Sequence, residues 1–117
     1  MSWLDLHMHS NISNDGEFSP KKLMELCLEN SIKVAALADH NSVRGIKDAS
    51  LQADELGIQL IPAIELDCTF RDVDLHLLGY GINFPYFLLF FMIIMLVGSE
   101  KINIFIMKRN IIKKAYL

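Results

Sequence analysis

The residues best suited to chemistry are four histidines, and they are not scattered. His7 and His9 stand in "DLHMHSN", His40 in "ALADHNS" and His76 in "DLHLLGYG". Each lies inside a short apolar run or just beyond its end. Residues i and i+2 of a strand point to the same side, so His7 and His9 can close on a single ion. Imidazole nitrogen suits Zn, Mn or Fe, and a carboxylate such as Glu65 can bridge two ions. Taken singly, each group has a plainer reading. The HxH pair can be polar edge residues, His40 a helix cap and Glu65 a solvated acid. His76, between Leu75 and Leu77, can be a core histidine, and Asp15-Gly16 a simple turn. Recurrence at the ends of successive strands is what favours a metal centre over these separate explanations.

The elements that must position these groups can be read from local patterns. "WLDLH" suits a strand running into the polar loop "SNISNDGEF", whose Ser, Asn, Asp and Gly are turn formers. "SPKKLMELCLEN" reads as a helix with Ser19 as N-cap and Pro20 at its first position, and Leu23, Leu26 and Cys27 are expected to form its core face. "IKVAALADH" is a buried strand that ends on Asp39 and His40, as parallel strands buried on both faces read. "VRGIKDASLQADELG" follows as a second helix, closed by Gly57 in the place of a left-handed C-cap. "IQLIPAIELD" and "DVDLHLLGYG" complete the set as two further strands. Strand and helix alternating at this spacing predict an α/β fold with a parallel sheet or barrel. Sites in such folds form at the C-terminal ends of the strands.

Composition divides the chain. Residues 1–83 hold thirteen acids against six bases, whereas residues 84–117 hold one acid, Glu100, against five bases. Five of the six glycines also precede residue 83. A break of this kind marks a domain boundary or a change in the origin of the sequence. The opening "MSWLDLHMHS" shows no basic stretch followed by an apolar one, so it does not read as a signal peptide and a cytoplasmic location is expected. Cys27 and Cys68 fit no CxxC pattern and read as free thiols.

At this point "DLHMHSNISNDGEFSP", "ALADHNS", "IPAIEL" and "LHLLGYG" resemble, in order and spacing, the first blocks of the PHP family. This is the polymerase and histidinol phosphatase superfamily of metal-dependent phosphoesterases. The likeness covers residues 4–83 and is nearest to the branch that hydrolyses nucleotide or short RNA phosphate esters. "ADH" stands where "TDH" is commoner. The resemblance implies the N-terminal part of a distorted seven-stranded (β/α) barrel, binding up to three divalent ions (Mn, Zn or Fe). By motif, His7, His9 and Glu65 would hold the first ion. Glu65 would bridge to a second, also bound by His76, and Asp15 with His40 would serve a third. The implied reaction is hydrolysis by a metal-bound hydroxide, with a phosphate-ester small molecule or short nucleic acid as substrate and no side-chain nucleophile. No specific protein partner is implied.

The family pattern also contains a later histidine and an Asp-x-His, whereas this chain has no histidine after His76 and no aspartate after Asp74. The expectation is therefore a truncated, incomplete site, weak or inactive by itself. The alternative is a non-enzymatic metal-binding or membrane-associated fragment. Residues 84–117 form an aberrant apolar and basic tail, expected to be helical. Its apolar run from Phe84 to Val97 would cover about 21 Å as a helix, short of the roughly 30 Å of a bilayer core. A membrane segment over 84–98 is therefore not favoured, and an interfacial helix over "SEKINIFIMKRNIIKK" is a further option. The Phe, Ile, Lys and Asn content is that of AT-rich DNA read out of frame, so the tail reads as a frameshift product. If so, another frame beyond codon 83 encodes a histidine and an Asp-x-His, which resequencing of the coding DNA checks.

Overall fold

The computed structural model describes residues 2–70 and 73–82 of the chain. The tail from 84 to 117, with its expected helix, lies outside the described residues. The elements run β1 (Leu4–Met8), α1 (Pro20–Glu29), β2 (Val34–Leu37), α2 (Ile46–Leu56), β3 (Gln59–Phe70) and β4 (Val73–Tyr80). One four-stranded sheet in the order β1-β2-β3-β4 carries them. β1 pairs with β2 and β2 with β3 in parallel, each pair joined by a crossover helix. β4 departs from the parallel expectation by folding back antiparallel on β3. Only two residues, 71 and 72, separate these strands. A parallel return would need a connection of a dozen residues or more, so a hairpin is the only available geometry.

Local chemistry explains where the helices stop and start. The Ser19 hydroxyl accepts a hydrogen bond from the Lys22 amide at 3.2 Å, and Pro20 follows at the first turn, where its missing N–H costs nothing. α2 begins at Ile46, three residues later than the apolar pattern from Val43 predicts, with Gly45 as an N-cap that has no side chain to contribute. It ends at Gly57, whose φ of 68° is left-handed, a conformation open to glycine at little cost.

Both helices pack on one face of the sheet. Met24, Cys27, Ala35, Leu37, Ala49, Ala53 and Ile58 are buried together there, with Met8, Leu23 and Leu60 at the margin. The buried stripe of α1 is Pro20, Met24 and Cys27, so the expected face of Leu23, Leu26 and Cys27 is corrected by one position. Steps of three and four residues from Pro20 lead through Met24 to Cys27, which puts Leu23 and Leu26 on the shoulders. Cys27 is free and buried, and Cys68 is free and half-buried. Among the described residues no helix is long and apolar enough to cross a membrane.

The opposite face of the sheet carries Ala36, Ala38 and Ala63, all fully buried, beneath Ile61, Leu78 and Tyr80. Continuing along β3 and β4 on this face come Glu65 and Asp67, and opposite them Leu78 and His76. The functional residues therefore occupy the face away from the helices.

The register of α1 is open to a direct check. Met24 is fully buried, so Met24→Ala is expected to lower stability by about 2–5 kcal/mol. Leu26→Ala should cost clearly less. Urea denaturation of the two variants distinguishes the observed face from the one the apolar pattern suggested.

Candidate metal centre

Glu65 is the middle of the site. It is 4% exposed, and its carboxylate lies close to every histidine in the chain. Its Oε2 is 2.6 Å from His7 Nε2, 3.0 Å from His9 Nε2 and 3.6 Å from His40 Nε2. Its Oε1 is 3.0 Å from His76 Nδ1. The four imidazoles follow one another as neighbours, with ring centroids 4.9, 4.7 and 5.0 Å apart from His7 through His9 and His40 to His76.

Two more carboxylates flank this row. Asp15 Oδ2 is 3.0 Å from His40 Nε2, and its Oδ1 is 3.5 Å from His9 Nδ1. Asp67 Oδ1 is 2.7 Å from His40 Nδ1 and 3.4 Å from His76 Nε2. All six residues singled out in the sequence thus meet at one place, and Asp67 joins them. The signal for Asp67 was available: it stands two residues after Glu65 on β3, and side chains two apart share a face.

The sequence gives less warning of how β1 presents its histidines. Asp5 pairs with Ala35 and Met8 with Leu37, three residues against two, so β1 carries a bulge between Asp5 and Met8. Regular alternation would send Asp5 and Met8 to opposite faces. The extra residue instead lets Met8 pack against the helix-side core while His7 and His9 both reach Glu65. Bulges that re-aim side chains beside sites are a recurrent device.

The loop from Ser10 to Gly16 is tied down by Asp39, which is 1% exposed. The Ser10 amide and hydroxyl donate to its two oxygens at 2.6 and 2.7 Å, and the Ser13 hydroxyl donates at 3.1 Å. The His40 amide in turn donates to the Ser13 hydroxyl at 2.7 Å. Asp39 therefore holds the His9 and His40 segments in one frame while its own carboxylate faces the serines. Gly16 closes the loop, and a Cβ there would fall 1.9 Å from the Ser10 carbonyl oxygen. On the far side Asn41, with φ of 51°, donates from Nδ2 to Asp67 Oδ2 at 2.8 Å and accepts from the Asp67 amide at 3.0 Å. Asparagine is among the few residues that adopt this backbone region readily.

Among the described residues three groups could each hold an ion, the ligand atoms within each lying no more than 4.8 Å apart: His7, His9 and Glu65; His9, Asp15 and His40; and His40, Asp67 and His76. Mixed nitrogen and oxygen sets of this kind suit divalent metal ions. A second observation fits a cation better than a closed hydrogen-bond network. His9 Nδ1 is buried without a hydrogen-bond partner, which is costly for a polar nitrogen unless something else engages it.

The charges of the centre lean on each other. Burial disfavours protonation of His40, but the hydrogen bond and charge of Asp67, with Asp15 and Glu65 behind it, outweigh this and raise its pKa. Burial likewise pushes Glu65 up, and is outweighed by the hydrogen bond and charge of His7 with those of His40 and His9, so its pKa falls.

With this geometry in view, comparison with known proteins is direct. The PHP domain matches residues 5–111, and the chain belongs to the PHP family of metal-dependent phosphoesterases. It is 38% identical over 79 residues to a 5'-3' exoribonuclease of Haemophilus influenzae, covering 68% of this chain and 28% of that protein. It is 29% identical over 83 residues to a 3',5'-nucleoside bisphosphate phosphatase of Chromobacterium violaceum, covering 71% of this chain and 29% of that one. Its fold superposes on an amidohydrolase from Chromobacterium violaceum with a TM-score of 0.67 at 28% identity, covering 70% of this chain and 28% of the other. The chain thus spans little more than a quarter of the length of the relatives it matches.

The pKa directions set a pH signature. His40, raised above its ordinary 6.5, contributes stability that is complete below that value and is lost as pH rises through the raised one. Glu65, lowered from 4.5, contributes stability that is present above that value and is lost as pH falls through the lowered one. In EDTA, the stability lost in His40→Gln should therefore be large near pH 6 and shrink toward pH 9. Added Mn2+ should reverse the trend, because ions require deprotonated imidazoles. Denaturant titrations across pH, with and without Mn2+, check both halves.

Proposed function

We propose that this chain carries the ligand-rich part of a phosphoesterase centre that hydrolyses nucleotide or short RNA phosphate esters with the help of bound Mn, Zn or Fe ions. The observation that supports it most is the convergence of four imidazoles on one buried carboxylate, with Asp15 and Asp67 at the flanks. In this reading His7, His9 and Glu65 hold one ion, Glu65 and His76 reach a second, and Asp15 with His40 serves a third. Such ions lower the pKa of water toward neutrality and neutralise charge on the attacking and leaving oxygens.

The residues themselves argue for cations before any substrate arrives. Three carboxylates face the same space, and a phosphate ester brings further negative charge into it. Without compensating positive charge the two would repel. His40 protonated between its acids supplies part of that charge at low pH, but a protonated imidazole cannot also ligate an ion. Asp39, through Ser10 and Ser13, holds the loop that carries Asp15 against His40. Asn41 orients Asp67. The nucleotide and RNA substrate class draws its support from the names of the two enzymes reported above.

Metal uptake tests the reading without presupposing turnover. The chain, freed of metal and titrated with Mn2+ or Zn2+ by calorimetry, is expected to bind more tightly than His7→Ala/His9→Ala by well over about tenfold, the least that losing even a residue that orients a ligand costs. Uptake equal to that of the double variant would sink the proposal. Hydrolysis of adenosine 3',5'-bisphosphate or a short 5'-phosphorylated RNA, where detectable, should vanish in Glu65→Gln.

A further inference from the structure

Tyr80 ends β4 and lies far from β1 in the order of the sheet, yet its hydroxyl donates to the Leu6 carbonyl oxygen at 2.9 Å. In a flat sheet three inter-strand steps of about 4.8 Å would separate these strands by roughly 14 Å, beyond the reach of a tyrosine. The contact exists because the sheet curls and because the ground between is low. Ala36, Ala38 and Ala63 are all fully buried, and Tyr80 packs against them. Three methyl groups leave a trough along which the ring can lie. Larger residues at these positions would lift it away from β1.

The carbonyl that Tyr80 finds is in the bulge. Leu6 falls between Asp5 and Met8, where the pairing to β2 slips by one residue, and bulged residues lose ladder partners. His7 follows immediately. Its side chain is 44% exposed, so burial does not hold the imidazole 2.6 Å from Glu65. Its position depends on where the backbone of the bulge is placed.

We propose that Tyr80 is a positioning residue for the metal centre: its hydroxyl pins the β1 bulge from across the sheet and thereby aims His7 and His9 at Glu65. The inference rests on the metal reading above for its consequence, but not for its geometry. The hydroxyl of Tyr80 bonds the Leu6 carbonyl and not a ligand atom, although burial and the nearby charge of Glu65 both raise the pKa of the phenol. The strap also links β4, which brings His76, to β1, which brings His7, so the two outer histidines are set against each other by one hydrogen bond.

Tyr80→Phe keeps the ring over the alanines and removes only the hydroxyl, and two readouts on the full chain decide its role. Titration with Co2+, followed by visible absorption, is expected to show binding weaker by about tenfold, as for residues that orient ligands, with altered ligand-field bands. In the metal-free protein the ring nitrogen NMR signals of His7 and His9 should shift, while the circular dichroism spectrum and thermal midpoint stay those of the wild type. Unchanged His7 and His9 signals would overturn the proposal, whatever happens to affinity. So would loss of the fold in Tyr80→Phe, which would show a purely structural role. If the wild-type chain takes up no Co2+, the metal reading falls, and the histidine signals still decide the case of Tyr80.

Discussion

The structure depends on a carboxylate that should not be comfortable where it is. Glu65 is almost wholly buried, and an isolated ionised carboxylate in that position would be very unfavourable. Four imidazoles, His7 and His76 on β1 and β4 and His9 and His40 just beyond the ends of β1 and β2, approach it within 3.6 Å. His40 and His76 are its neighbours in the sheet, and the curl of the sheet brings in His7 and His9 from two strands away. The fold and the site are therefore the same problem. Curl without the histidines leaves a bare buried charge, and without curl His7 and His9 remain too far from it.

Two small scaffolds make the arrangement specific. On one side Asp39 collects Ser10 and Ser13, and Ser13 takes the amide of His40. The turn leading from His9 to Asp15 is thereby fixed against the end of β2. On the other side Asn41 adopts a left-handed backbone and grips Asp67 through two hydrogen bonds. Each scaffold uses a polar residue that touches ligand-bearing segments rather than the centre of the cluster. Buried polar networks are stabilising when every member is satisfied. His9 Nδ1 is the buried atom this network leaves without a hydrogen bond.

Much of the site was legible because its chemistry is local. His7 and His9 in alternation, His40 after an apolar run and Glu65 two residues before Asp67 all announce themselves by residue type and spacing. The helix limits at Ser19, Pro20 and Gly57 were legible for the same reason, since caps depend on one side chain or one φ angle. Less legible was the buried face of α1, where Leu23 and Leu26 compete with Met24 and the choice depends on how the helix rolls against Ala35 and Leu37. Asp39 reads as one more acid at a strand end until Ser10 and Ser13 are seen folded over it.

What the sequence determined by itself is the inventory and its order: alternating strands and helices, their caps, a set of imidazole and carboxylate donors, and membership of a family whose motifs carry them. The tertiary structure decided three things. β4 turns back antiparallel because two residues cannot make a crossover. A bulge in β1 turns His7 and His9 together to the face of Glu65 while Met8 keeps its place in the core. The curl of the sheet then lets Tyr80 of β4 meet β1 across it. Register and curvature arise from contacts between residues far apart in the chain, and no local pattern of side chains records them.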